Sequence, residues 1–219
     1  MRSIAVFILA LLSAVFTPML IANASIDTSS PIQQWRFKVF LDDKEIGFHH
    51  FTVENREDQQ TIYSNARFDV KFLFFTAYTY EHSNVEQWQG HCLKKINAVT
   101  NDNGENYSVS GENGIEGFIV ETADNKNVYA SCVKTFAYWD PSFLQTPLLL
   151  NSQTGELIDV TVESLGESML AVNGNNQTAR QYRLLGDKLQ IDLWYSDDDR
   201  WLALESLTED GHRIRYQMQ

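Results

Sequence analysis

The chain has 219 residues, a formal charge of −12 and a sequence pI near 4.7. So acidic a surface repels phosphate backbones and anionic headgroups, which excludes nucleic acid as a partner and disfavours tight docking on an anionic membrane. Without its leader the chain keeps about 195 residues, which fits one domain burying about 70% of the surface its unfolded form exposes.

Arg2 is followed by an uncharged apolar run, Ile4 to Phe16, then by Pro18 and the triplet Ala22-Asn23-Ala24. A charged start, an apolar stretch and an A-x-A site in that order read as a signal peptide over residues 1–24, with the exported domain over 25–219. The rival reading, an uncleaved anchor, is opposed by Pro18 and by the polar stretch from Asn23 to Ser30. No cysteine sits at the cleavage site to carry a lipid, and no later segment is apolar for the roughly 20 residues a spanning helix needs.

The first strand signal is Gln34 to Leu41, where Trp35, Phe37, Val39 and Leu41 share one face and Arg36 and Lys38 the other. Turn dipeptides then recur at Asp42-Asp43, Asn103-Gly104, Asn113-Gly114, Asn173-Gly174, Gly186-Asp187 and Asp210-Gly211. Such pairs supply the positive φ angles that tight hairpins require. His49 and His50 are adjacent, so on a regular strand they point to opposite faces and cannot chelate one ion together.

Arg67 to His82 reads as one strand with an aromatic ladder on its even face: Phe68, Val70, Phe72, Phe74, Thr76, Tyr78, Tyr80 and His82. Its odd face turns apolar at Leu73, Phe75 and Ala77, so the middle needs a cover or a ligand on both sides. Glu81 and His82 point to opposite faces, a poor arrangement for an acid–base pair.

Cys92 and Cys132 are the two cysteines of an exported chain, and are expected to form one disulfide. His91 lies on the opposite strand face from Cys92, and no zinc spacing surrounds either thiol. Further on, Asp140-Pro141 is a helix start, and Pro147 limits that helix to one or two turns. Phe143 and Leu144 on it, with Leu148-Leu149-Leu150 after it, make a short covering helix near 140–150.

Leu189, Ile191, Leu193 and Tyr195 form another inward face, which leaves Trp194 outward, packed beneath a neighbour or marking a binding surface. Asp197-Asp198-Asp199 lacks the glycine and distal glutamate of a calcium loop and reads as a solvated turn. Ile214, Tyr216 and Met218 end the chain on one face of a last strand.

The pattern is all-β and mainly antiparallel: a curved meander forming an open or closed barrel with one covering helix. There is no G-x-S-x-G, H-E-x-x-H or Gly-rich phosphate loop, so no catalytic residue, metal or cofactor is assigned. Phe68, Phe72, Phe74, Tyr78, Tyr80, Phe143 and Leu144 are the candidates to line a cavity for a hydrophobic small molecule or lipid. The alternatives are an envelope interaction protein with a packed core, and a hydrolase of envelope glycan or lipid.

Four motifs also resemble a known family: W-R-F-K-V-F-L-D-D-K-E-I-G-F-H from Trp35, D-V-K-F-L-F-F-x-A-Y-x-Y from Asp69, Y-W-D-P-S-F-L from Tyr138 and L-W-Y-x-D-D-D-R-W-L-A-L-E-S from Leu193. The chain is similar along nearly all of its exported part to domain-of-unknown-function family 6134, akin to family 3108. That resemblance implies a bacterial cell-envelope location and no particular activity.

Overall fold

The computed structural model describes residues 32–72 and 75–219, with the side chains of 72–76 left aside. The expected leader over residues 1–24, Phe74 and the side chain of Phe72 therefore lie outside the described residues. Eight strands come first: β1 (Ile32–Leu41), β2 (Lys44–Arg56), β3 (Gln59–Phe72), β4 (Phe75–Gln89), β5 (Cys92–Asp102), β6 (Glu105–Asn113), β7 (Phe118–Thr122) and β8 (Lys126–Tyr129). A 3-10 helix (Pro141–Gln145) and the short pair β9 (Leu148–Leu150) and β10 (Leu157–Asp159) follow. The chain then returns to the main sheet through β11 (Thr161–Val172), β12 (Asn175–Gly186), β13 (Leu189–Tyr195), β14 (Trp201–Leu207) and β15 (Arg213–Met218).

Thirteen of these strands form one antiparallel sheet in the order β11-β12-β13-β14-β15-β1-β2-β3-β4-β5-β6-β7-β8. Every neighbour is consecutive in the chain except β15 and β1, which pair mid-sheet from Phe37↔Met218 to Leu41↔Ile214. The two edges, β8 and β11, do not pair, so the barrel is not closed. Residues 130–160 run from one edge to the other. Among the described residues no helix is long and apolar enough to cross a membrane.

The turn chemistry works as the sequence implies. Asn103 and Gly104 have φ of 52° and 94°, and Asn173 and Gly174 of 50° and 79°. Two positive φ angles in a row give the twist that a two-residue hairpin shares with its strands. Asp197 to Asp199 sit in the turn between β13 and β14, where the Ser196 hydroxyl bonds Asp198.

Arg67 to His82 is not one strand but a hairpin, β3 to β4. The sequence between the two strands carries none of the usual turn residues, so the alternation of residue types shows no break there. A bulge between Val70 and Lys71 then restores even-to-even pairing, with Val70 opposite Tyr78, Phe68 opposite Tyr80 and Ala66 opposite His82. The even face is therefore one inward face shared by two strands.

The inward face is filled by the crossing segment. Cys92 at the start of β5 is bridged to Cys132, and Leu93 N–H donates to Val133 O beside it at 2.9 Å. Further along, the Tyr138 ring meets Trp201 at 5.1 Å, and its carbonyl accepts the Tyr195 hydroxyl at 2.9 Å. Trp139 lies 6.0 Å from Phe51 and 6.1 Å from Trp88. Gly155, at φ +75°, brings its backbone so close to β7 that an added Cβ would stand 2.7 Å from Thr122 Cγ2.

The segment's one helix forms for local reasons. The Asp140 carboxylate caps it by accepting the Ser142 N–H at 3.0 Å, and Pro141 follows at the first turn. Phe143, Leu149 and Leu150 are buried in the same cluster as Phe37, Leu193 and Trp201. Burial of this kind contributes roughly 1.5–3 kcal/mol per large apolar side chain. Outward Trp194 is held on its own face by donating Nε1–H to Ser168 Oγ of β11 at 3.1 Å.

Candidate functional site

Two regions carry chemistry. The first is a polar stripe inside the sheet, where the even residues of β4 face the crossing segment. Tyr78 donates its hydroxyl to Asp102 Oδ1 at 2.7 Å, and Tyr80 donates to Gln153 Oε1 at 3.1 Å. Gln153 Nε2 in turn donates to Asp102 Oδ2 at 3.2 Å. Six residues beyond Tyr80 along β4, buried Glu86 accepts from Asn84 Nδ2, Trp88 Nε1 and Thr135 Oγ1 at 2.8, 2.7 and 3.1 Å. Burial still pushes the Glu86 pKa up, against those three donors.

Two histidines sit in the same stripe. His49 contacts the Tyr216 hydroxyl through Nδ1 at 3.0 Å and Ser64 Oγ through Nε2 at 2.7 Å. His82 contacts Thr100 Oγ1 through Nδ1 at 2.8 Å. One ring nitrogen donates and one accepts in a neutral imidazole, and hydroxyls serve either role. Burial holds His49 well below the ordinary 6.5 and lowers His82 to about 4.

The sign of the pH effect follows. Between pH 6.5 and 4 an unfolded chain protonates His82 and the folded one does not, so stability is full above that window and falls as pH drops through it. The ring alone accounts for about 3 kcal/mol by pH 4. Urea unfolding of His82→Gln should therefore show a shallower loss of stability from pH 7 to 4 than the natural chain. An identical slope in both proteins would remove His82 as a cause. Glu86, with its raised pKa, acts in the opposite direction, and the comparison cancels it because both proteins carry it.

The second region is an open cleft of ≈ 1420 Å³ at one mouth of the sheet. Its walls are the first residues of β1, the end of β2, the 3-10 helix and the facing parts of β11 and β12. Trp35, Val53, Trp139, Leu144, Val162 and Tyr182 give it an apolar floor. The β13–β14 turn, with Asp198, Asp199 and Arg200, forms the opposite rim.

His91, Asp140 and Ser142 meet on one wall of that cleft. Asp140 Oδ2 lies 3.0 Å from His91 Nδ1 and accepts the Ser142 hydroxyl at 2.8 Å. Ser142 Oγ also lies 3.1 Å from the same His91 Nδ1, and Lys134 Nζ donates to it at 3.2 Å. A nucleophilic relay needs serine on one ring nitrogen and carboxylate on the other. Here both crowd one nitrogen, so the cluster caps the helix and does not activate Ser142. Among the described residues no group of three or more His, Cys, Asp or Glu could hold a metal ion.

The residues singled out for a cavity fall in three places. Leu144 lines the mouth cleft, whereas its neighbour Phe143 is 1% exposed and packs edge-on to Tyr138. Phe68 and Tyr80 stack face to face at 5.2 Å, and Tyr78 and Tyr80 spend their hydroxyls on Asp102 and Gln153. Phe74, and Phe72 as a side chain, lie outside the described residues. Glu86, Asn84 and Ser64 were missed, although the even alternation that ends at His82 continues through Asn84, Glu86 and Trp88. His91 and Asp140 are 49 residues apart, and no local pattern signals their meeting.

A large antiparallel sheet, curled but not closed around its own crossing segment, with a cleft at one mouth, defines a β-barrel-like protein. Residues 37–219 match the family described as Domain of unknown function (DUF6134), and the chain belongs to it. Among solved structures it is similar to a beta-barrel-like protein of domain of unknown function DUF1849 from Brucella abortus. That pair has a TM-score of 0.64 and 8% identity over 87% of this chain and 96% of the other. At that identity the likeness is one of fold. No curated protein matches the sequence.

Proposed function

We propose that this chain is an exported cell-envelope protein that acts as a non-catalytic binding or carrier module, holding the apolar part of a lipid-like ligand in the mouth cleft. One observation carries the reading: Trp139, Leu144, Val162 and Tyr182 stay partly exposed in the cleft, while Trp35, Val53 and the sheet interior beneath them are buried. Its ≈ 1420 Å³ exceeds the roughly 300–1,000 Å³ of ordinary ligand pockets, as a site open to solvent would. The leader features of residues 1–24 and the Cys92–Cys132 bridge support export to an oxidising compartment. The crowded geometry around His91 Nδ1 supports binding over hydrolysis.

Binding of the neutral fluorophore N-phenyl-1-naphthylamine tests it. Leu144→Arg sets a guanidinium on the apolar floor and should weaken binding by about tenfold or more. Phe68→Ala should leave binding unchanged, because Phe68 lies eight residues along β3 from the cleft residue Gln60, about 26 Å by strand rise. Equal binding by Leu144→Arg and the natural chain, or loss in Phe68→Ala alone, contradicts the reading.

A further inference from the structure

The charge and the aromatic content of the mouth cleft together specify which headgroup it accepts. Five carboxylates line it, those of Glu57, Asp58, Asp140, Asp198 and Asp199, against the two guanidiniums of Arg180 and Arg200. Some of that charge is already answered. Arg180 Nη2 lies 2.6 Å from Asp199 Oδ1, and Asp140 is engaged by His91 and Ser142. Glu57, Asp58 and Asp198 then stand against Arg200, an excess of negative charge along the rim.

Aromatic rings share the same space. Trp139 and Tyr182 are partly exposed in the cleft, and Trp35 lies at its floor. A ring face carries the negative end of its quadrupole and attracts a cation, most strongly when the cation is bulky and weakly hydrated, as a quaternary ammonium is. An anionic headgroup would meet the carboxylates at short range and lose its hydration to partners of its own sign. Tail and head thus select different features of one site.

We propose, resting on the cleft being the ligand site, that its occupant is a single-chain amphiphile with a cationic, quaternary-ammonium-like headgroup. The alkyl chain lies on Leu144 and Val162, the partly exposed aliphatic side chains of the cleft. The headgroup sits between the rings of Trp139 and Tyr182 and the rim carboxylates of Glu57, Asp58 and Asp198.

Three probes with one tail separate the outcomes: decyltrimethylammonium, decyl glucoside and decanoate, each below its micellar concentration, followed by tryptophan fluorescence and calorimetry. The cationic probe should bind about tenfold more tightly than decanoate at low ionic strength, with the glucoside between them. The gap should narrow in about 0.5 M salt, where screening acts within a few ångströms. It should also narrow in Glu57→Gln/Asp58→Asn/Asp198→Asn, whose changes are confined to exposed turns and whose fold is checked by circular dichroism. Equal affinities, or tighter binding of decanoate, overturn the headgroup assignment and leave the cleft standing as a site. Failure of all three probes to bind the natural chain overturns the cleft reading and the headgroup assignment with it.

Discussion

Trp201→Ala is expected to lower the unfolding free energy by about 4 kcal/mol, within the 3–5 kcal/mol range of buried aromatic truncations. The side chain is 0% exposed and joins three strands of the sheet to the crossing segment. Its ring lies 4.4 Å from Phe37 on β1, 5.2 Å from Phe51 on β2, 5.1 Å from Tyr138 on the crossing segment and 6.4 Å from Tyr216 on β15. Its indole N–H donates to Ala203 O at 2.9 Å, and its own carbonyl accepts the Trp35 indole N–H at 3.1 Å. Alanine leaves a void that four aromatic neighbours on three sides cannot close together. Leu207→Ala, at the 41% exposed end of the same strand, should cost less than about 1 kcal/mol. Chemical denaturation of both variants checks the pair, and a Trp201→Ala cost as small as the Leu207→Ala cost would mean the ring is not the junction described.

Removing the bridge with Cys92→Ala/Cys132→Ala should cost up to about 4 kcal/mol, the loop-closure value for the 40-residue separation. The expected consequence is local before it is global. Cys132 opens the crossing segment, and the next contact in line is the Leu93 N–H to Val133 O bond. Without the bridge the Cys132 end of the segment is held to β5 by that hydrogen bond and by packing, with Gln153 to Asp102 the tie at the other end of the strand. Urea unfolding of the natural chain with and without a reductant should show the same difference as the double variant. No change on reduction would mean the bridge constrains little that the core does not already hold.

Much of the fold is legible in the residues because it is built from local signals. Alternation in Trp35, Phe37 and Val39, and in Leu189, Ile191, Leu193 and Tyr195, named the inward faces of β1 and β13. Asn103-Gly104 and Asn173-Gly174 named hairpins because their φ angles admit little else. Asp140-Pro141 named the start of the only helix among the described residues, and the two cysteines named their bridge. The break between β3 and β4 was hidden, because the sequence there lacks turn chemistry and the bulge at Val70 keeps even residues opposite even ones.

The candidate site was far less legible, since it is made of long-range meetings. Trp35 and Tyr182 share a cleft only because β15 pairs with β1 and joins the C-terminal strands to the N-terminal ones in a single sheet. In the interior stripe His82 was legible as the end of the aromatic ladder, whereas Ser64, Asn84 and Glu86 escaped for a different reason. Polar residues on an inward face look like a surface until the segment that covers them is placed, and here that segment arrives from residues 130–160.

Native-state hydrogen exchange at Leu150 and Val160 is the direct measurement of whether that segment fills the sheet. Their amides donate to Lys134 O and Pro147 O, each at 2.8 Å, within the crossing segment itself. If the segment is the core of this molecule, both amides exchange as slowly as those of Phe37 and Leu193, through opening of the whole fold. Exchange of both within the time of the exposed turns, while the strands stay protected, would show a segment that leaves the interior open and would contradict the account.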